Sequence, residues 1–298
     1  LTGIWLGNSA LDLHLHDTYF VIAHFHLVMG VASMFGMFAG IYHWYPKMYG
    51  RFMNNTLAYI HFWVTFAGAY LIFSSHRGSG PMDYVTASAL PGRISRLVLP
   101  DSSVVWLNAA SVIRYPRAFE GDKREVYLQQ GEALFEVKHN ARQPFMVHAG
   151  GLLTRVLGTS FDIKSYRQLS HIQITVASGA IQVSDSSATL GVFTRNQQLD
   201  YNRQTRQYEK NTVDAAEALE WKHGMVVLNR ASFAEVAVTL ESLYGVQIRY
   251  GGLHAEDYRY TLSFSERLNL QEVLDIIRGI HNMDYKIEND SVIVSAIK

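Results

Sequence analysis

Residues 18–46 contain no Asp, Glu, Lys or Arg, and neither do residues 52–76. Each run exceeds the roughly 20 apolar residues that cross a bilayer. They predict two transmembrane helices, near 18–45 and 56–75. Across the whole chain Lys+Arg and Asp+Glu number 26 each, yet residues 1–75 carry only Asp12, Asp17, Lys47 and Arg51. So uneven a chain is not one globular domain. Lys47 and Arg51 lie in the short connection, which the positive-inside rule places in the cytoplasm. Tyr42, Trp44, Tyr45 and Tyr49 sit where an interfacial aromatic belt belongs. Everything after Ser75 is then expected on the outer side. The chain opens at Leu1 with no methionine and no basic segment before its apolar run, so it reads as truncated and without a signal peptide.

The formal net charge is zero, which argues against a nucleic-acid surface, since that needs clustered positive charge. Cysteine is absent, excluding disulfides, zinc–thiolate sites and thiol catalysis.

Histidines mark the first apolar run. His16-Asp17 stands at its start, and His24 and His26 lie within it. Residues two apart on a helix point about 200° apart, so His24 and His26 do not chelate one metal, although they suit two centres on opposite faces. Polar groups inside a membrane are costly, which favours function over incidental hydrogen bonding. The stretch His16-Asp17-Thr18-Tyr19-Phe20-Val21-Ile22-Ala23-His24-Phe25-His26 resembles the signature of subunit I of haem–copper cytochrome oxidases, as do Tyr42-His43-Trp44-Tyr45-Pro46 and Ile60-His61-Phe62. The resemblance implies high-spin haem ligation at His24, low-spin haem ligation at His26 and magnesium binding at His16 and Asp17. It covers two helices of about a dozen. The copper ligands and the second axial ligand of the low-spin haem fall outside it, so residues 1–75 are expected to have no oxidase activity of their own.

After Ser75 the texture changes. His76-Arg77-Gly78-Ser79-Gly80-Pro81 reads as a linker. Short β-type runs follow: Ser95–Leu99, Val104–Leu107, Glu125–Leu128, Ala133–Val137, Phe145–Ala149, Thr154–Leu157, Phe161–Tyr166, Ile172–Val176 and Ala180–Ser184. Their spacing predicts an all-β domain, a sandwich or a solenoid-like stack. Asp101, Glu132 and Asp162 read as scattered carboxylates, His139, His148 and His171 show no ligand spacing, and Trp106 reads as core. Five phrases in order, Leu99-Pro100-Asp101-Ser102-Ser103-Val104-Val105-Trp106-Leu107-Asn108-Ala109-Ala110-Ser111, Tyr115-Pro116, Gly131-Glu132-Ala133-Leu134-Phe135-Glu136-Val137, Pro144-Phe145-Met146-Val147 and Val156-Leu157-Gly158-Thr159-Ser160-Phe161, resemble the FecR domain. Ser102 stands where that family has glycine, a residue suited to a left-handed turn.

The end of the chain alternates differently. Met225–Asn229 reads as a strand, Ser232–Tyr244 as a helix closed by Gly245, and Val246–Tyr250 as a strand. Tyr258–Phe264, Asn269–His281 and the hairpin Asp284–Glu288/Ser291–Ala296 repeat the pattern. This resembles the small α+β domain that follows FecR domains, related to secretin and TonB short N-terminal signalling domains. Helix-plus-sheet domains of this size commonly bind through a sheet edge.

The expected organisation is an oxidase-like transmembrane fragment at 1–75, a junction at 76–82, a FecR-like β domain at 83–200, a linker at 201–219 and an α+β signalling domain at 220–298. The resemblance implies a non-enzymatic anti-sigma regulator in the inner membrane, with residues after 75 in the periplasm. Its implied partners are the signalling domain of a TonB-dependent receptor, a sigma factor reached through a cytoplasmic domain outside these residues, and membrane lipid. No cofactor is expected for 83–298; haem belongs only to the oxidase parent. The chain is read as a chimera of two genes. The alternatives are an oxidase subunit I fragment with an artefactual fusion, and a periplasmic ligand-binding β-domain.

Overall fold

The computed structural model describes residues 33, 36–41, 43–51, 54–75, 83–250, 258–281, 283–288 and 290–296. The chain divides into two units, Leu1–Gly80 and Pro81–Lys298.

In the first unit, residues 36–41 and 43–49 are helical, and α1 spans Asn55–Ser75. Asn54 Oδ1 accepts the backbone N–H of Thr56 at 2.9 Å, supplying the N-terminal cap of α1. The first expected transmembrane helix lies largely outside the described residues. The second expected span coincides with α1, but among the described residues no helix is long and apolar enough to cross a membrane.

The second unit opens with thirteen strands: β1 (Tyr84–Ser88), β2 (Ser95–Val98), β3 (Val104–Leu107), β4 (Val112–Pro116), β5 (Arg124–Glu136), β6 (Phe145–Ala149), β7 (Leu152–Val156), β8 (Ser160–Ser165), β9 (His171–Ser178), β10 (Ala180–Ser184), β11 (Thr189–Thr194), β12 (Gln197–Asn202) and β13 (Tyr208–Thr212). They form a sandwich whose layers share β5. One layer runs β1-β4-β5-β6-β7-β10-β11, and the other β2-β3-β5-β8-β9-β12-β13. All pairs are antiparallel except β5 with β6.

The 13-residue β5 changes layer at Gly131. Its first half pairs with β4 and β6, its second half with β3 and β8. Gly131 has φ +100°, and a Cβ there would meet the Ser111 backbone at 2.5 Å, so only glycine fits. At the bend the buried Ser111 hydroxyl takes over the ladder: it accepts from Glu132 N at 2.9 Å and donates to Glu132 O at 3.0 Å. Alternate residues of both layers, among them Val126, Leu128, Phe135, Phe145, Phe161, Ile163, Ile174 and Phe193, fill the interior. Each such side chain contributes about 1.5–3 kcal/mol by leaving water.

The runs Glu125–Leu128 and Ala133–Val137 are therefore one strand. The linker expected over 201–219 is also revised: β12 and β13 form a hairpin that extends the sandwich to Thr212. The true connection holds a short helix, α2 (Ala215–Ala218), and a 3₁₀ turn, Glu220–His223, closed by Gly224 at φ +80°.

The last domain is twofold. It comprises β14 (Met225–Ser232), α3 (Phe233–Tyr244), β15 (Gln247–Arg249), β16 (Arg259–Ser265), α4 (Leu270–Ile280), β17 (Met283–Glu288) and β18 (Ser291–Ala296). Strand β14 pairs with β16; β18 lies between β15, parallel, and β17, antiparallel. Both long helices start with a capping box, Ser232/Glu235 and Asn269/Glu272, and α3 stops at Gly245, φ +69°. The apolar stripe of α3, Phe233, Val236, Ala237 and Leu240, meets Val273, Leu274 and Ile277 of α4 in a second core.

Candidate functional site at the docking face

The outer face of the second sandwich layer carries the polar half of each alternation: Trp106 on β3, Glu132 and Glu136 on β5, Asp162 and Lys164 on β8. Register sets Glu132 opposite Lys164 and Leu134 opposite Asp162. The connection and α3 cover this face. Lys164 Nζ lies 3.5 Å from Glu235 of α3, and Lys222 Nζ lies 2.7 Å from Glu136. Lys222 also stands 4.3 Å above the Trp106 ring, whose opposite neighbour is Arg96 at 5.6 Å. The Trp106 indole donates to Glu136 at 3.3 Å. Trp106 is thus not core, as expected from its sequence, but the half-buried platform on which the connection rests.

Backbone and apolar contacts complete the docking. Gly92 N donates to Ser242 O at 3.0 Å. Tyr166 and Leu169 of the sandwich pack with Val238 and Ala234 of α3.

The carboxylates that looked scattered are partly gathered. Asp162 is 4% exposed, and its Oδ1 has no hydrogen-bond partner; Trp221 Nε1 is likewise buried and unpaired. Burial, then the neighbouring Glu132, holds the Asp162 carboxyl well above the usual range, against the weaker pull of Lys164 and of the Trp221 indole beside it. Burial also raises Glu132, against the pull of Lys164 and a 2.7 Å hydrogen bond from Asn108. Burial lowers Lys164, but Glu235 and Glu132 push it up by more, so it is held charged.

Asp101 has a separate role. It accepts Arg124 Nη1 at 2.6 Å and the Ser103 hydroxyl at 2.6 Å. Arg124, 1% exposed, also donates to Lys138 O and Gln143 O, both at 2.9 Å. Ser102, in the same turn, has φ +67°, the left-handed geometry expected there.

His16, Asp17, His24 and His26 lie outside the described residues. Among the described residues, no group of three or more His, Asp or Glu is placed to hold a metal ion. His171 pairs with Asp200, and His148 stacks on Tyr127 with centroids 4.6 Å apart. Sequence reasoning missed Arg124, Lys164 and Trp221. Their only signal was a charged or polar residue in strict alternation with core residues.

Comparison with known proteins separates the same regions. Residues 83–182 match the family model "FecR protein", and 225–294 match "FecR, C-terminal". Two crystal structures of a Parabacteroides distasonis protein described as an anti-sigma factor superpose with TM-scores of 0.68 and 0.67 at 27% identity, covering 72% of this chain and all of theirs. The region from residue 83 onward resembles FecR-type anti-sigma regulators. Residues 1–112 match "Cytochrome C and Quinol oxidase polypeptide I". The alternative cytochrome c oxidase subunit 1 of Bradyrhizobium diazoefficiens is 52% identical over 97 residues, 33% of this chain and 15% of that protein. Subunit 1 of Yarrowia lipolytica is 40% identical over 112 residues, 38% of this chain and 19% of that protein. The chain thus spans under a fifth of these oxidase relatives. The oxidase and FecR matches overlap over 83–112. The structure assigns that overlap to the FecR-like sandwich, where β1, β2 and β3 are hydrogen-bonded strands.

Proposed function

We propose that residues 83–298 are the extracytoplasmic, signal-receiving part of an anti-sigma regulator. The observation that carries this is the structural match, which runs through sandwich, connection and α+β domain and covers the whole of the anti-sigma neighbour. In this reading the α+β domain receives the signalling domain of a TonB-dependent outer-membrane receptor. The signal passes through the inner membrane to an extracytoplasmic-function sigma factor. The work is protein contact and conformational coupling, without bond chemistry. Placement rests on the sequence alone: the uncharged runs 18–46 and 52–76 would hold the chain in the inner membrane with residues after 75 in the periplasm, whereas among the described residues no helix is long and apolar enough to cross. Protease added to spheroplasts should degrade the region after 83; full protection would contradict that placement. A pull-down with the full chain should retain a receptor signalling domain from the same genome, and failure across all such domains would refute the receptor role.

A second reading is favoured for residues 1–75 by the 52% identity to an oxidase subunit: they are a piece of that subunit joined to an unrelated gene. The full chain should purify colourless. Haem absorption that disappears in His24→Ala and His26→Ala would contradict this. One long DNA read across codons 60–100 tests the junction, because reads that diverge into two genes are the expected result.

A further inference from the structure

Asp162 is the acid at the docking face with an oxygen that no side chain fully satisfies. It points out of the sandwich, yet α3 and the connection bury it. Three other acids of the interface have a donor: Glu132 has Asn108, Glu136 has Lys222 and Trp106, and Glu235 has Lys164 and the N-cap of α3. Asp162 Oδ1 has no partner in full hydrogen-bond geometry; the Trp221 indole beside it, also unpaired by that measure, favours the ionised acid, but by less than burial and Glu132 oppose it. Beside them lies a cleft of about 70 Å³, lined by Glu132, Lys164, Tyr166, Trp221, Ser242 and Glu266 among others and therefore polar enough to hold water.

We propose that this cluster is a proton-operated latch: the α+β domain docks on the sandwich with a proton on the Asp162–Glu132 pair, and loss of that proton loosens the docking. The charge count requires it. With all acids ionised, Glu132, Asp162 and Glu235 would face one cation, Lys164. Tyr166, Glu217 and Glu266 add no positive charge from the remaining sides. A buried carboxylate with one oxygen unmet, beside a second carboxylate, favours its neutral form. Once the domain lifts away, water solvates both acids and the proton leaves, so closing the face again must first recover that proton. The sign follows from linkage. The docked form binds more protons, so docking is tightest in acid and weakens as pH rises above the ordinary carboxylate range. The limit is about tenfold in the docking equilibrium per pH unit for one proton. This device operates whichever protein the α+β domain contacts.

Hydrogen exchange of the full chain between pH 5 and pH 8.5, corrected for intrinsic rates, tests the latch. Protection of α3 should fall at least tenfold over that range relative to β9, which lies in the sandwich core. Asp162→Asn should abolish the difference while keeping α3 protected at both ends. If α3 and β9 respond alike in the native chain, or if the Asn variant keeps the native pH response, the latch is wrong. Should β9 protection show that Asp162→Asn is misfolded, Glu132→Gln decides: removal of the facing charge should shrink the pH response, and an unchanged response overturns the proposal.

Discussion

At the Asp101 turn, a buried guanidinium meets a carboxylate and two carbonyls. On the docking face of the same sandwich, a buried carboxylate keeps one oxygen unmet. Arg124 ties the β2–β3 turn to the loop before β6, and everything it joins belongs to one domain. Asp162 lies between two domains, and the Trp221 indole beside it on the connection does not close a full hydrogen bond to Oδ1. The contrast teaches where the molecule is stapled and where it can part. Arg124 also leaves its Nη2 unmet, yet it faces an opposite charge and fixes a loop, whereas Asp162 faces a second carboxylate, is neutral when covered and is ready to be uncovered.

Four substitutions sharpen or break this contrast, in order of expected effect. Arg124→Met should destabilise the sandwich by about 3–5 kcal/mol, because Asp101 and two carbonyls lose their donor. Its urea midpoint measures this, and a loss below about 1 kcal/mol would show that Arg124 is not a staple. Asp162→Asn should do the opposite. The native acid has a raised pKa, so its contribution is fully present below the unfolded carboxylate value near 3.8 and is lost as pH rises toward the folded value. The Asn variant should therefore gain on the native chain by up to about 1.4 kcal/mol per pH unit above pH 4 until the native acid ionises. Urea midpoints at several pH values read this directly, and parallel pH profiles would contradict it.

Much of the frame was legible in the sequence. Val104–Leu107, Phe145–Ala149 and Ala180–Ser184 stand as strands with the expected ends, and the helix caps at Ser232 and Asn269 announce α3 and α4. The left-handed turn at Ser102 was visible too. Strand β13 was not, because Tyr208-Glu209-Lys210-Asn211-Thr212 is exposed throughout and shows no apolar alternation. The docking face was hidden for the reverse reason. Phe161-Asp162-Ile163-Lys164 alternates as a half-exposed strand should, and only a second domain, distant in sequence, turns its polar side into an interface. Pairing of Glu132 with Lys164 depends on β5–β8 register, which no local pattern carries.

The remaining two predictions are smaller. Lys222→Met should cost about 1 kcal/mol or less, because the Glu136 pair is partly solvated, and should raise exchange in β14 without touching β9. Equal effects on both strands would show that the connection is no separate anchor. Ser102→Gly should raise stability by a few tenths to about 1 kcal/mol: relief of the left-handed strain outweighs the extra freedom of glycine in the unfolded chain. A lower urea midpoint would mean that the serine makes an offsetting contribution.

The central claim, that the region from residue 83 is the receiver of an anti-sigma regulator, is tested most directly by calorimetric titration of the full chain with purified receptor signalling domains from its own genome. The account predicts saturable binding by one of them, weakened when exposed residues of the α+β domain are changed and indifferent to changes on the outer face of the first sandwich layer. No binding by any domain, with the chain shown to be folded by its exchange protection, would contradict it.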